Sequence, residues 1–422
     1  MTLLEGAGRA IARANDKLDR LRTVEPFLID LSLRENPVGA RVGQTLSDKL
    51  ALLPLLRAFG FQNILLGTLD YADPDELEVD DDFMAHLQQF DHDALRGGWA
   101  FTDIGRDDGA GFQPSRSMQK LAAYQVPNTL LEIYLADMQD YTFAQLQAWL
   151  PQSIAWLTEH MSRFDGAPPQ ILINIVDGCD AFATNLEQTC QILEVIARSG
   201  VTGLSFEDDR GTYFPFQVGA YVEIARQYLP IQKILVHMHA GGGFENASLI
   251  EALLAGADGV WGGLPKRAAI IGHASLGELL ANLVRADNPH ARAYQLAQLT
   301  SLATIWQTRD DQEPIPDDVP ILGANAYRTP LAFFEQRPGR AQDLPASVIG
   351  ATQRYRICPV VSDPPVIRGR LGEVMGRAPD GFDQGVMEQM RRLMRRSLRE
   401  GHRIVWDEPQ ALVALYHAAG GT

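Results

Sequence analysis

The sequence is poor in cysteine and has no long apolar run. Its 422 residues include three cysteines, Cys179, Cys190 and Cys358, and none of them forms a CxxC pair. An odd, scattered set argues against a disulfide framework or a zinc knuckle and is typical of a reducing compartment. The N-terminus lacks the apolar core of a signal peptide, and no stretch of about 18 apolar residues occurs. We therefore expect a cytoplasmic protein with no membrane partner.

Basic residues are also scarce. Lys and Arg number 37 against 53 Asp and Glu, which gives a formal charge of −16 at pH 7. Binding to nucleic acid or an anionic membrane requires a basic field, so neither is an expected partner. An anionic substrate must instead meet a local cluster of positive charge or a metal ion. The 46% of hydrophobic residues is enough for a large core.

Short β-branched or apolar runs alternate along the chain with longer stretches of helical periodicity. This alternation indicates βα units and a parallel sheet. Eight runs predict strands, at 27–32, 62–67, 98–103, 129–135, 170–176, 203–208, 233–239 and 258–263. Eight strands over roughly 240 residues is the expected size of a (β/α)8 barrel. An open doubly wound sheet would carry a GxGxxG turn after its first strand, and SLRENPVG does not match that pattern.

Three segments follow from this pattern. The pattern predicts an amphipathic helix over residues 1–24 and the catalytic barrel over residues 25–290. Residues 291–422 predict a helical linker and a C-terminal accessory lobe, because an Asp- and Pro-rich stretch, TRDDQEPIPDDVP, precedes further helical sequence at 383–400 and 407–419. The expected fold class is therefore α/β, a (β/α)8 TIM barrel with a smaller C-terminal accessory lobe.

The active site of such a barrel lies at the C-terminal ends of its strands. The seventh strand ends in His237-Met238-His239, and residues two apart in a strand point to the same face. Glu35 follows the first strand. Two histidines and a carboxylate suit a divalent metal with open coordination positions, so we predict a metal site from these three residues. An ordinary strand end with one buried structural histidine is the alternative.

Other strand ends carry further candidates. His273, after the eighth strand, is either a third imidazole at the site or a solvent-facing helix residue. Arg34 is placed to hold an anionic substrate or a developing enolate through its planar guanidinium, or to form a salt bridge. The sixth strand ends in Glu207 and Asp208, which predict a partner for a histidine or a solvated loop.

A basic pair follows the eighth strand. Lys266 and Arg267 form the best local positive patch for a phosphate, a nucleotide or the carboxylate of a cofactor. Such a pair is equally compatible with a solvated surface.

These residues resemble the motifs of the DRE-TIM metallolyase superfamily, and within it the isopropylmalate and homocitrate synthase branch. The family's DTTLRDG is similar to DLSLRE here, which places Arg34 on its catalytic arginine and Glu35 on its metal-binding aspartate. The family's HxHND-G-A-AN-A--AGA resembles the segment from His237 through FENASLIEALLAGADGV. GERAGNAS resembles PKRAAIIGHAS, where His273 replaces an asparagine, and DxARTD resembles DAFATN, which keeps Thr184.

The resemblance implies a divalent metal held by Glu35, His237, His239 and His273. It also implies that Thr184 hydrogen-bonds the carboxylate of a 2-oxo acid, which is condensed with an acyl-CoA in a Claisen-type reaction. A third imidazole favours Zn, Mn, Fe or Co over Mg. Since the related synthases use their accessory part to pack on a partner subunit, a homodimer is implied as well.

The chain departs from the synthases where they handle the acyl-CoA. Their HESGIH stretch is replaced by a segment beginning at Arg328, and the Asn-Asp after HxH is Ala240-Gly241. Candidates for the missing base are Tyr355, Glu207 and Asp208.

Two alternatives to the condensation stay open. One is a lyase or aldolase that cleaves a hydroxy acid or a hydroxyacyl thioester, although lyases of this superfamily carry a cysteine loop after the eighth strand and no cysteine lies between residues 191 and 357. The other is a barrel without turnover that acts as a binding partner.

Overall fold

Eight parallel strands close into a barrel in the computed structural model, which describes residues 3–69, 77–332 and 344–422. The barrel strands are β1 (Phe27–Asp30), β2 (Asn63–Thr68), β3 (Gly98–Asp103), β6 (Asn128–Tyr134), β7 (Gln170–Val176), β8 (Gly203–Asp208), β9 (Lys233–Met238) and β10 (Gly259–Gly262). Their order around the barrel is β1-β10-β9-β8-β7-β6-β3-β2. The predicted TIM barrel is confirmed.

Among the described residues, four short strands lie outside the barrel. β4 (Arg106–Asp107) pairs antiparallel with β5 (Phe112–Gln113), and β11 (Arg328–Thr329) pairs parallel with β12 (Arg354–Tyr355). Two-residue strands lack the alternation that marks a strand in a sequence, so the sequence did not predict them.

The strands alternate with helices, and further helices complete the chain. These are α1 (Leu3–Thr23), α2 (Leu46–Phe59), α3 (Val79–Phe90), α4 (Arg116–Ala123), α5 (Phe143–His160), α6 (Gly178–Thr184), α7 (Leu186–Arg198), α8 (Pro215–Tyr228), α9 (Glu245–Ala255), α10 (Leu276–Arg285), α11 (Leu299–Asp311), α12 (Pro364–Met375), α13 (Gln384–Arg399) and α14 (Pro409–Ala418). Across the described ranges, no helix has both the length and the apolar character needed to cross a bilayer.

Local sequence sets where several helices begin. Thr45 and Thr142 each accept a hydrogen bond from the backbone N–H three residues on, and the side-chain oxygens of Asp48 and Gln145 accept one from the backbone N–H of the cap residue. Such capping boxes satisfy backbone N–H groups that have no partner within the helix. Ser275 caps α10 in a simpler way, through the backbone N–H of Glu278, and so fixes the segment that follows His273.

Large apolar side chains fill the barrel interior. Trp99 and Trp261 are almost completely buried, and the ring of Phe101 lies 5.7 Å from that of Trp261. The indole N–H of Trp261 donates to the hydroxyl of Ser205 at 2.7 Å, so its polar atom is satisfied inside the core. This layer closes the barrel centre and forms the floor on which the polar residues of the C-terminal face rest.

The chain forms two compact units, Met1–Pro314 and Ile315–Thr422. The first unit contains the barrel and α11. In the second, α12, α13 and α14 pack around buried methionines of α13, among them Met387, Met390 and Met394. Residues 333–343 of the predicted accessory lobe lie outside the described residues.

One buried carboxyl makes the stability of the first unit depend on pH. Burial raises the pKa of Asp310 from an ordinary 3.8 to about 7, although the amide of Gln44 donates to it at 3.0 Å. Between these two values the folded protein holds a proton that the unfolded chain has released. The free energy of unfolding therefore falls as pH rises through this window.

We predict that Asp310→Asn removes this contribution, because an amide does not ionise and still offers an oxygen to Gln44. The variant should gain stability relative to wild type as pH rises from 4 to 8, with a slope of at most about 1.4 kcal/mol per pH unit. Denaturant unfolding of both proteins across this range measures the difference. An equal pH dependence in wild type and variant would contradict the assignment.

Candidate active site

Two histidines of the seventh barrel strand meet at one point. His237 lies in β9 and His239 directly follows it, and their Nε2 atoms are 3.2 Å apart. His237 is fully buried and its ring stacks on Trp261, with centroids 3.9 Å apart. The backbone carbonyl of Trp261 accepts a hydrogen bond from Nδ1 of His237 at 2.9 Å, which leaves Nε2 with a lone pair aimed at His239.

Burial keeps these imidazoles neutral. It lowers the pKa of His237 well below its ordinary value, with the nearby His239 as a second cause, and lowers the pKa of His239 to about 4. Neutral imidazole nitrogens are metal ligands, whereas protonated ones are not. Among the described residues, Nδ1 of His239 has no hydrogen-bond partner.

A carboxylate completes the cluster. It comes from Glu207, near the end of β8. Glu207, His237 and His239 each offer one ligand atom, these atoms lie within 4.8 Å of one another, and all three residues are buried. For a cation with bonds of about 2.1 Å and ligand angles of about 90 to 109°, donor atoms are separated by about 3.0 to 3.4 Å, which the imidazole nitrogens match. This buried Glu-His-His cluster could therefore hold a metal ion.

His273 lies beside the pair. Its ring centroid is 5.7 Å from that of His237, and its backbone bridges to that of His239. Burial lowers its pKa to about 3, and Nε2 has no hydrogen-bond partner within the described part of the chain. A side chain at Gly263 would meet this ring at 2.6 Å, so glycine is needed there.

Glycines also set the backbone next to His239. Gly211 has φ of +62°, and a Cβ there would lie 2.2 Å from the carbonyl oxygen of His239. A Cβ at Gly241 would lie 1.9 Å from the carbonyl oxygen of Arg210. The backbones of the loops after β8 and β9 therefore approach each other too closely for a side chain at Gly241, where the resembling family carries one.

Arg34 and Glu35 line the same cavity as His239. The two side chains form an ion pair, and both are nearly buried. The Arg34 guanidinium also covers the ring of Phe101 at 4.4 Å and donates through Nε to the hydroxyl of Thr68 at 2.7 Å. Its orientation is therefore fixed by contacts on three sides.

A buried ion pair supports the Thr68 side of Arg34. Asp80 accepts a hydrogen bond from the backbone N–H of Thr68 at 2.8 Å and pairs with Nζ of Lys49 at 2.6 Å. Lys49 is 2% exposed and also donates to the carbonyl of Leu33, next to Arg34. This network holds the backbone on both sides of the guanidinium.

The cavity that joins these residues is strongly acidic. Its volume is about 570 Å³, and Arg34 is the one lysine or arginine on its described lining. Seven carboxyl groups also line it: Glu35, Glu132, Asp137, Asp140, Asp177, Glu207 and Asp209. An anion entering the cavity therefore depends on Arg34 or on a bound cation for positive charge.

Glu132 was not predicted from the sequence, and Asp209, the third acid of the run that begins with Glu207, lines the cavity with it. Burial raises the pKa of Glu132 to about 7 and that of Asp209 to about 6. Asn174 hydrogen-bonds both Glu132 and Glu207, the latter at 3.0 Å, and burial raises the pKa of Glu207 well above its ordinary value. An acid inside the apolar strand run TLLEIYL was the signal that could have revealed Glu132.

Several candidates from the sequence lie away from both the described cavity lining and the histidine cluster. Thr184 is exposed, and its hydroxyl donates to the carbonyl of Asp180 at 2.7 Å. Asp208 accepts the backbone N–H of Tyr213 at 2.8 Å. Lys266 pairs with Glu245, and Arg267 pairs with Asp311 at 3.2 Å and Glu313 at 3.3 Å. Tyr355, one of the three bases considered, lies in β12 of the second unit.

No family model matches the chain. Part of it is similar to 2-isopropylmalate synthase of Yersinia enterocolitica, with 31% identity over 162 residues. This alignment spans 35% of the present chain and 29% of the length of that relative. The chain is thus homologous, over this part of its length, to a member of the DRE-TIM metallolyase superfamily. The resemblance found in the sequence motifs is thereby confirmed, and the low identity and short alignment agree with the departures noted there.

Solved structures show the same fold. HMG-CoA lyase of Bacillus subtilis superposes with a TM-score of 0.56 at 16% identity, covering 70% of this chain and 96% of that one. HMG-CoA lyase of Acinetobacter baumannii, solved with coenzyme A and 3-methylmalate, gives 0.52 at 15% identity, covering 70% and 99%. At these identities the likeness concerns the barrel and not the reaction.

We predict that the histidine pair controls metal content. Protein purified without chelator should contain a near-stoichiometric divalent metal, and His237→Ala and His239→Ala should each lose it, because two of three clustered ligand atoms are imidazoles. Elemental analysis of folded protein measures this. Comparison of Glu207→Gln with Glu35→Gln decides which carboxylate holds the ion, and His417→Ala on the exposed end of α14 is the control. Metal retained by both histidine variants would refute the site.

Proposed function

We propose that the protein is a divalent-metal-dependent enzyme that forms or breaks a carbon–carbon bond beside the carbonyl of a small 2-oxo acid. The observation that carries this proposal is one cavity lined by Glu207 and His239 of the Glu207-His237-His239 cluster and by the guanidinium of Arg34, which its contacts hold in place. Homology to a member of the DRE-TIM metallolyase superfamily supports the same chemistry. The reaction we favour is condensation of an acyl thioester with the 2-oxo acid, because the sequence match is to an isopropylmalate synthase.

In this proposal His237 and His239 hold the metal with Glu207 or Glu35, and His273 is a further nitrogen ligand. A bound divalent ion supplies Lewis-acid polarisation of a carbonyl and charge neutralisation of a carboxylate. Three imidazoles favour Zn, Mn, Fe or Co over Mg. Both carboxylates line the cavity next to His239, so each is within the same pocket as the pair.

Arg34 provides the fixed positive charge for the reacting oxygen. When the nucleophilic carbon attacks a 2-oxo acid carbonyl, negative charge moves to the carbonyl oxygen, and a guanidinium held in place stabilises it without reorganising. The contacts with Phe101 and Thr68 restrict Arg34 to this orientation. Its ion pair with Glu35 exchanges for the substrate oxygen or persists beside it.

Glu132 is placed to transfer the proton. Condensation removes a proton from the carbon next to the thioester carbonyl, and the resulting carbanion attacks the oxo carbon. The alkoxide then takes up a proton, and hydrolysis by water releases the thiol. Glu132 lines the cavity with Arg34 and Glu207, within reach of the same substrate, and Asn174 fixes its carboxyl group. It thus replaces the bases that we considered from the sequence.

Aldol-type cleavage of a small hydroxy acid is the second candidate. The acidity of the cavity favours it, because Asp137, Asp140 and Asp177 at the lining repel the phosphates of coenzyme A. Lys266 and Arg267, proposed from the sequence for that role, are each paired with carboxylates. Cleavage needs the same groups in reverse: a base takes the hydroxyl proton, the carbon–carbon bond breaks, and the enolate is reprotonated.

Two parallel assays decide between these reactions. Metal-loaded protein is incubated with short 2-oxo acids and acetyl-CoA while free thiol is measured, and separately with branched 2-hydroxy acids while 2-oxo acid formation is measured. We expect turnover in one assay, abolished by chelator and by His237→Ala. Absence of turnover in both assays, with stoichiometric metal bound, would reject catalysis and leave a barrel that binds a partner.

We further predict that Glu132→Gln lowers kcat by about 10²- to 10⁴-fold, the usual contribution of a positioned acid or base. Metal content should remain at the wild-type level, because Glu132 is outside the ligand cluster. Steady-state kinetics with elemental analysis of the same preparation tests both statements. Glu194→Gln, on the exposed surface of α7, is the matched control. Unchanged kcat would place proton transfer elsewhere.

A further inference from the structure

A second cavity opens at the end of the barrel opposite the catalytic residues. Its lining includes Arg57 near the end of α2, Arg96 just before β3, and Arg163 between α5 and β7, and its volume is about 460 Å³. These positions precede barrel strands, and the N-terminal ends of parallel strands share one face of a barrel. We call it the N-face cavity. It lies on the face that TIM-barrel catalysis does not use.

The lining of the N-face cavity has more basic than acidic side chains, whereas the protein as a whole is acidic. Three arginines line it, Arg57, Arg96 and Arg163, against two carboxylates, Asp93 and Asp165. The chain as a whole carries −16, and the catalytic cavity has seven acids against one arginine. A local excess of positive charge in such a protein marks a place where an anion is favoured.

Arg57 is a cation without a carboxylate partner at ion-pair distance among the described residues. Its guanidinium donates to the backbone carbonyls of Gln62 and Arg96, each at 2.5 Å. Burial lowers its pKa, and the carboxyl of Asp30 acts on it in the opposite direction. Burial raises the pKa of Asp30 to about 7, so its carboxyl group is only partly ionised near neutral pH. Asp30 therefore compensates the positive charge of Arg57 only in part. A desolvated, undercompensated cation is costly, and a bound anion relieves that cost.

The other two arginines are available at the rim. Arg96 is 61% exposed and pairs with Asp93, which is 87% exposed, at 3.2 Å. Arg163 pairs with Asp165 at 2.7 Å. Exposed pairs of this kind contribute little, so a ligand can replace the aspartates. The guanidinium carbon of Arg96 lies 5.0 Å from the ring centroid of Phe164. This contact holds Arg96 over the cavity.

We propose that the N-face cavity binds a small molecule bearing a dianionic oxyanion group, either a phosphate or a pair of carboxylates. Guanidinium groups bind both through paired hydrogen bonds. The volume admits a ligand larger than the anion alone, with the ring of Phe164 as an apolar contact. Such a molecule is an effector of the barrel and not its substrate, because it binds away from Arg34 and the histidine cluster.

Titration of the full-length protein with inorganic phosphate and, separately, with succinate tests the site. Ionic strength is held constant, and binding is followed by calorimetry and by thermal unfolding. We expect saturable binding of one or both probes with a matching rise in Tm. The double variant Arg96→Gln/Arg163→Gln should weaken it at least tenfold, whereas Arg198→Gln, an exposed ion-paired arginine of α7, should not.

The metal-site variant His237→Ala separates this site from the catalytic cavity. Binding that persists in this variant supports the N-face cavity, and binding that disappears with it overturns the proposal. Saturation by phosphate alone identifies a phosphate ligand, and saturation by succinate alone identifies a dicarboxylate. No saturable binding of either probe in the millimolar range, or equal binding by wild type and the double arginine variant, overturns it as well.

Discussion

Closure of the barrel by pairing of its first and last strands is the constraint on which the site depends. Phe27–Asp30 of β1 pairs in parallel register with Gly259–Gly262 of β10, although more than 200 residues separate them. This pairing brings the loop that carries Arg34 and Glu35 next to the loop that carries His273. Since β9 is the next neighbour, the histidine pair arrives at the same rim. Inside the barrel, the buried side chains of Trp99, Phe101 and Trp261 pack beneath this rim and exclude water from that side.

Burial gives the polar groups of this rim their chemistry. Removed from water, the imidazoles of His237 and His239 stay neutral, and the carboxyl groups of Glu132 and Glu207 hold their protons at higher pH than usual. Arg34 is oriented by Thr68, Phe101 and Glu35. Neutral imidazoles, buried carboxyl groups and one oriented cation therefore lie at a single rim, and such groups can act on a polarised carbonyl.

The departures from the synthase motifs are reflected in the structure of this chain. At Gly241, where the family carries a side chain, the backbone of Arg210 leaves no room for one. The acidic and amide groups that follow HxH in the family are absent here, and the carboxyl groups of the cavity lining include Glu132 on β6 and Glu207 on β8.

The sequence alone determined the eight strands, their helices and the meeting of His237 with His239, because alternation and a two-residue spacing are local properties of a chain. Motif similarity likewise located Arg34 and Glu35. The tertiary structure decided which carboxyl group meets the histidines, since Glu207 reaches them through the β8–β9 register, and it brought Glu132 of β6 to the same cavity. It also moved Thr184, Lys266 and Arg267 off the described cavity lining. Neither side-chain direction after a strand end nor pairing with distant acids is encoded in local periodicity.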